Sequence, residues 1–377
     1  MSKDNTLFPI AEIAQDCVNC GICVQECAFL QEYGSPKDLA VQWLSGERGV
    51  RFPFECSLCG LCRGVCPKEL DPSAMFLTMR RELTAKGEGD FRQHRNIRAY
   101  EKRGSSSLFS WFYLPDNCNT IFFPGCALPG SRPQTFTRLF QVLQELIPGI
   151  GLVLDCCTKP SHDLGDVTHF GKMFGALVTI LRKHSVQRVL VACPNCYRIF
   201  REYGDGLQVQ TVYEKLAESE RVSRQVPRQV TVHDPCGVRF SGNVQDSVRE
   251  LLRQLGMETR EMRHTRSSSF CCGEGGAAGF LRPDFAKIWT GKRVEEAGAD
   301  QIVSYCAGCT HFLGRKVPTA HILDLLLSPL AQQRKAKVSK APVTYWNRYR
   351  LKKRLQQELQ GGVSGSRQEL SGKKAVS

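Results

Sequence analysis

Eight of the nineteen cysteines fall into two runs, Cys17-x2-Cys20-x2-Cys23-x3-Cys27 and Cys56-x2-Cys59-x2-Cys62-x3-Cys66, the second followed by Pro67. Thiolates at this spacing wrap a tight loop around one iron-sulfur cube. Two runs in one short segment form the pattern in which three cysteines of each hold one cluster and the fourth crosses to the other. Applied here, one 4Fe-4S cubane takes Cys17, Cys20, Cys23 and Cys66, and the second takes Cys56, Cys59, Cys62 and Cys27. The crossover brings the cubes close enough for an electron to hop between them. A structural zinc site needs four ligands and no third C-x2-C step, which disfavours that reading. Ala28 stands where the pattern has proline, a change at the chain exit more than at the ligands.

Ten further cysteines recur in a second pattern. From residue 120 the chain runs TIFFPGCALPG, GLVLDCCTKPSHDLGD and RVLVACPNCYRIF, then VTVHDPCGVRF, SSFCCGEGGAAGF and QIVSYCAGCTHFL. Each half carries a single cysteine, a vicinal pair and a C-x2-C in the same order, which marks an internal duplication. Packing needs alone do not produce five cysteines twice over. The nineteenth, Cys118, belongs to no motif and reads as a small buried hydrophobe.

The elements that must position these cysteines are legible around them. Residues 189–192, 231–233 and 302–305 are short β-branched or aromatic runs ending directly before a cysteine or, at 233, two residues short of one. Helical periodicity covers 134–147, 171–184, 244–256 and 284–298. Strands alternating with helices predict parallel βαβ units, whose ligands gather beyond the carboxyl ends of the strands. Between the two N-terminal runs, residues 37–49 predict a helix, and a second is predicted to start near Asp71 and Pro72 and end at Gly87. Residues 1–16 read as a lead-in, with Ile10, Ile13 and Ala14 packing on the first cluster. The fold class expected is α+β and α/β: a mainly helical dicluster domain, then two βαβ-type domains.

These motifs resemble the heterodisulfide reductase family, specifically the D-type subunits that join a ferredoxin segment to two CCG domains. The resemblance covers roughly residues 12–325 and rests on DPC at 234–236, CCGEGG at 271–276, CAGC at 306–309, GC at 125–126 and CPNC at 193–196. It implies a further, non-cubane 4Fe-4S cluster at each CCG site, able to split a disulfide reductively. One site would comprise Cys126, Cys156, Cys157, Cys193 and Cys196, the other Cys236, Cys271, Cys272, Cys306 and Cys309. Thr158 follows the first pair where the family has glycine; a β-branched residue resists positive φ, so a different cluster or a plain cubane is expected there. The second site keeps Gly273, Gly275 and Gly276, whose amides are expected to donate to cluster sulfur. The architecture is also similar to iron-sulfur subunits of anaerobic glycerol-3-phosphate dehydrogenase and glycolate oxidase.

His233 and His311 flank second-repeat cysteines and read either as proton donors to a departing thiolate or as core histidines. No G-x-G-x-x-G or Walker loop occurs, so flavin or nucleotide is expected on other subunits. The formal charge is +14, but residues 331–377 hold twelve Lys or Arg against two acids, which is +10 and leaves +4 for the rest. No nucleic-acid reader accompanies that charge. The stretch 345–360 predicts a helix with Leu351, Leu355 and Leu359 on one side, preceded by Tyr345, Trp346 and Tyr349. Such a helix suits peripheral contact with an anionic membrane or a membrane cytochrome, or else a solvated tail. Residues 361–377 read as disordered. The start of the chain lacks a secretory pattern, which with nineteen cysteines predicts reduced, metal-bound thiols in the cytoplasm, at most peripheral on the inner membrane face.

The domain limits expected are 1–103 for the dicluster domain, 104–118 for a linker, 119–227 and 228–330 for the two CCG domains, and 331–377 for a basic tail. The function expected is an iron-sulfur oxidoreductase subunit that moves electrons between cubanes and CCG sites and reduces a disulfide. The alternative is the iron-sulfur subunit of a flavin-dependent dehydrogenase of the glycolate, lactate or glycerol-3-phosphate type, relaying electrons to the quinone pool. The partners expected are a membrane cytochrome b or a flavoprotein dehydrogenase subunit.

Overall fold

The computed structural model describes residues 7–47, 49–219, 228–298, 300–328 and 338–367. Residues 8–104 are helical throughout, with short 3-10 turns and cysteine loops between. Ser35 caps the helix Pro36–Leu44 through the amide of Asp38. Asp71 caps Pro72–Ala85 through the amides of Ser73 and Ala74 at 2.9 and 3.1 Å, with Pro72 supplying the first-turn φ. Ile10 and Ile13 pack with Met75, Phe76 and Met79 of that helix, and Cys17, Cys23, Cys27, Cys62 and Cys66 border this core.

The strands are β1 (Trp111–Pro115), β2 (Thr120–Phe123), β3 (Gly151–Leu154), β4 (Arg188–Val191), β5 (Gln208–Thr211), β6 (Gln229–His233), β7 (Glu258–Arg260), β8 (Gln301–Ser304), β9 (Thr319–His321) and β10 (Gly362–Gly365). One sheet runs β10-β1-β3-β2-β4-β5 and the other β7-β6-β8-β9. Within the first, β3-β2-β4-β5 is wholly parallel, as is the entire second sheet. The duplication read from the cysteines is therefore a duplication of sheet order. Parallel strands are buried on both faces, and Ile121, Phe122, Val189, Val191, Val230, Val232, Ile302 and Val303 are each fully buried. The predicted helices appear as Pro133–Leu146, Val167–Lys183, Gly242–Gln254 and Pro283–Ala297.

The two sheets share one continuous core. Tyr213 ties them, its hydroxyl bridging the carbonyls of Ala192 and Tyr305 at 2.7 Å each, at the carboxyl ends of β4 and β8. On the flank, Arg132 pairs with Asp324 at 2.7 Å.

Two expectations about the chain's connections are corrected. Residues 104–118 are not a plain linker: Trp111–Pro115 forms β1, antiparallel to β3, because residues 111–114 are apolar on both faces and bury both. Nor is the tail free. The helix Val343–Glu358 buries Leu351 and Leu355 in the core of the first repeat, so the leucine side read as a membrane-lying face is packed inside the protein. Residues 362–365 of the stretch read as disordered pair with β1, and Arg367 is buried against Asp155 at 2.6 Å. Residues 331–337 and 368–377 of the tail lie outside the described residues. Among the described residues no helix is long and apolar enough to cross a membrane.

A single arginine joins the three parts. Arg80, fully buried, donates to the carbonyls of Pro53 (2.8 Å) and Cys56 (2.5 Å) in the dicluster domain, Asp163 (2.6 Å) in the first repeat and Gly276 (2.8 Å) in the second. Gly165 packs on the same helix: at φ +77 its position leaves 2.5 Å between an added Cβ and the Arg80 carbonyl carbon. Gly165→Ala is therefore expected to lower the thermal midpoint of the holoprotein, at a cost of about 2 kcal/mol or more. About 1–2 of that is the left-handed backbone alone; a melt within about 1 °C of the parent would contradict it.

Candidate metal centre

In the dicluster domain, Gly21 and Gly60 adopt φ +75 and +70 directly after Cys20 and Cys59, turning each chain back into a short helix that begins inside the cysteine run. The result is two cavities. One is lined by Cys17, Cys20, Cys23, Cys62 and Cys66, the other by Cys27, Cys56, Cys59 and Cys62. The fourth cysteine of each run thus sits with the other run's set. Burial pushes the Cys23 thiol up to about 11, with Cys17, Cys20 and Cys66 adding repulsion. Burial likewise raises Cys62, alongside Cys56, Cys59 and Cys27. Crowded buried thiols resist ionisation unless a cation accompanies them, as an iron core does. The Leu58 amide donates to Cys56 Sγ at 3.4 Å.

In the repeats, all ten cysteines follow the carboxyl ends of parallel strands or the loops after them, as the βαβ reading predicts. The first set is linked thiol to thiol, Cys126 to Cys156, Cys157 to Cys196 and Cys196 to Cys193. In the second set Cys236 meets Cys271, Cys271 meets Cys272, Cys272 meets Cys309 and Cys309 meets Cys306. Within each set some thiols are held down and their partners pushed up, the mark of protons shared among close sulfurs.

Each set also faces a buried nitrogen with no hydrogen-bond partner. Beside the first set this is Arg348 Nη1, and in the second it is His233 Nε2. His233, fully buried, lies with Cys272 and Cys309 so that the three ligand atoms are all within 4.8 Å of one another. Arg293 Nε donates to its Nδ1 at 3.1 Å, which leaves the proton on Nε2, and burial beside Arg293 keeps the ring neutral. His233 is thus a fixed N–H donor next to two thiols rather than a cation. Orphaned donors beside crowded thiols fit a sulfur-rich anionic group at both sites. His311 is half-buried against Arg315 at 2.7 Å.

Two glycine-linked expectations change. Thr158 does take a left-handed conformation (φ 55, ψ 26), because it begins the helix Lys159–Asp163 and is fully buried in that turn. Threonine therefore does not exclude the glycine-like backbone at the first site. Gly273 donates its amide to Cys271 Sγ at 3.3 Å. Gly275 and Gly276 also meet a packing need: an added Cβ would lie 2.5 Å from the Ser57 carbonyl at Gly275 and 2.8 Å from the Cys56 carbonyl at Gly276. They let the second repeat close onto the loop of the second cubane set. Across that seam Cys59, Phe270, Cys271 and Trp289 pack together, and Arg239 donates to the carbonyls of Cys59 (2.8 Å) and Ser269 (2.6 Å).

Motif reading missed Tyr100, whose hydroxyl donates to Cys126 Sγ at 3.1 Å, and the arginines Arg80, Arg239, Arg293 and Arg348. None has a local pattern that would reveal it. Glu274 was within reach, inside the CCGEGG run. Its carboxylate rests on Gly308, between Cys306 and Cys309. Desolvation by the surrounding walls raises that carboxyl to about 7, and Cys193 and Cys126 of the other set add repulsion. Glu274 as a whole is nevertheless exposed. Gly237, beside Cys236, abuts Pro194 and Asn195 of the first set's C-x2-C, with 2.6 Å between an added Cβ and the Pro194 carbonyl. The two sets therefore meet directly at this contact.

Comparison with known proteins matches this layout. A 4Fe-4S dicluster domain matches residues 16–71, and a cysteine-rich domain (CCG) matches twice, over 120–201 and 230–314. The chain is 24% identical over 369 residues to the D-type subunit of the dihydromethanophenazine:CoB–CoM heterodisulfide reductase of Methanosarcina mazei, covering 82% of this chain and 90% of that one. It is 25% identical to one subunit of the fumarate reductase (CoM/CoB) of Methanothermobacter marburgensis, over 78% of this chain and 66% of that one. It is 22% identical to an EtfAB:quinone oxidoreductase of Syntrophomonas wolfei, over 72% of this chain but 44% of that protein.

Proposed function

We propose that this iron-sulfur protein moves electrons through two cubanes into its five-cysteine sites, where a disulfide is reduced. It joins an N-terminal dicluster ferredoxin domain to duplicated cysteine-rich domains and is related at family level to the heterodisulfide reductase and fumarate reductase subunits just described. The observation that carries the proposal is the close approach of the two five-cysteine sets, where Gly237, beside Cys236, abuts Pro194 and Asn195 of the first set's C-x2-C. A disulfide bound at that junction would have a cysteine set on either side. Two electrons and two protons convert it to two thiols, the protons coming from solvent, to which Glu274 is exposed.

The clusters, when bound, supply the one-electron steps. The chain sets their order. Cys20 is the one exposed cysteine of the dicluster domain and marks the entry. Cys17, Cys20, Cys23 and Cys66 would hold the first cubane and Cys56, Cys59, Cys62 and Cys27 the second, and the packing of Cys59 on Cys271 would give the second a path into the second repeat. His233 holds an N–H donor at Cys272 and Cys309, and Gly273 holds one at Cys271. The donor upstream is a membrane cytochrome b or a flavoprotein. A second reading has the protein relay electrons from a flavin dehydrogenase of the glycolate, lactate or glycerol-3-phosphate type toward the quinone pool. The likeness to EtfAB:quinone oxidoreductase favours it.

Anaerobic reconstitution with iron counting and EPR separates the two. About sixteen irons, and a new paramagnetic signal from the oxidised protein on adding a thiol, are expected for disulfide chemistry. About eight irons with reduced-cubane signals alone would leave only the relay.

A further inference from the structure

The tail carries most of the chain's net positive charge, yet part of that charge is inside the protein. Arg348, on the helix Val343–Glu358, is 6% exposed. Its Nη2 donates to the Gly104 carbonyl at 3.0 Å, and its guanidinium stacks on Phe109 at 5.0 Å. Nη1 is buried without a hydrogen-bond partner, and Arg348 forms no ion pair among the described residues. The nearby acids are engaged elsewhere. Asp155 takes Arg367, Ser110 and the Cys156 amide, and Glu101 takes Ser161 and His169.

The guanidinium is directed at the first cysteine set. A Cβ built on Gly104 would lie 3.4 Å from Arg348 Nη1 and 3.7 Å from Cys156 Cβ, so Gly104 is the thin wall between them. Arg348 also acts on Cys126 and on Tyr100, which itself donates to Cys126 at 3.1 Å. A buried cation without a counter-anion is costly. Here an anionic group at the first set supplies the missing partner.

We infer that Arg348, carried in by the C-terminal helix, is the counter-charge of the cluster at the first five-cysteine site and raises its reduction potential. The inference rests on the reading that this site holds a cluster. Reduction adds one electron and breaks no bond, so the reduced cluster is the more negative and gains more from the cation. The basic tail thereby belongs to the redox site, not to a membrane surface. Arg348 acts on the cluster through its charge, as a positioning and tuning residue.

The test is an EPR-monitored redox titration of the reconstituted full chain, with Arg348→Gln, Arg348→Lys and the control Lys353→Gln, whose side chain is exposed on the same helix. Arg348→Gln should disfavour reduction of one cluster at least tenfold, a drop of about 59 mV for one electron. Arg348→Lys should recover most of that shift, and Lys353→Gln should leave every potential in place. A full iron count with an unshifted first-site potential in Arg348→Gln would overturn the inference. So would equal shifts in Arg348→Gln and Lys353→Gln, which would assign the effect to overall charge. A parent protein that lacks first-site iron would instead overturn the reading beneath it.

Discussion

Arg80→Met is expected to prevent stable assembly of the holoprotein. The guanidinium satisfies four buried carbonyls drawn from three parts of the chain, at Pro53, Cys56, Asp163 and Gly276. Each carbonyl left unpaired costs about 1–3 kcal/mol, and the sum is of the order of the roughly 5–15 kcal/mol that holds a domain folded. Burial lowers the Arg80 pKa to about 10, so it remains charged at neutral pH. Lysine offers one point charge with three donors and cannot reproduce the fork, so Arg80→Lys should rescue little. The measurement is the thermal midpoint together with iron retained after gel filtration. A methionine variant that keeps its iron and melts within about 2 °C of the parent would refute this role.

Cys272→Ala is expected to remove one cluster and spare the rest. Cys272 touches Cys271 and Cys309 and lies beside His233, all within the second set. Iron should fall from about sixteen to about twelve, with the thiol-induced signal of the second site lost and both reduced-cubane signals retained. Because Cys271 packs against Cys59, loss of every cluster would show that the second repeat and second cubane load as one unit. The independent sites proposed here would then be wrong.

The cysteine spacing carried most of the fold. Most of the single cysteines, vicinal pairs and C-x2-C motifs follow a short apolar run, which suffices to place them at the carboxyl edge of parallel strands, and β3-β2-β4-β5 and β7-β6-β8-β9 repeat one order. What did not show was anything made across the chain. Arg80, Arg348 and Tyr100 reach partners roughly 20 to about 240 residues away, and no local period records such a contact. The tail illustrates the point: its leucine period was legible, but a helix that lies on a membrane and one that packs on a neighbouring domain share that period. The glycines of CCGEGG gave the opposite lesson. Their need was clear, but nothing local showed that Gly275 and Gly276 also approach a loop some two hundred residues earlier.

The pairing of β10 with β1, in which Phe112 faces Gly365 and Tyr113 faces Ser364, has a consequence for biosynthesis. The partners are roughly 250 residues apart, so at about 5–20 residues per second a ribosome needs roughly 13–50 s between making one and making the other. Throughout that interval the apolar strand Trp111–Leu114 is an uncovered edge, the kind of surface on which nascent chains associate. A message truncated before Gly362 makes that condition permanent. Newly made protein should therefore depend on chaperones until residues 362–365 have been made, and deletions that remove them should appear in inclusion bodies rather than as soluble, partly active protein.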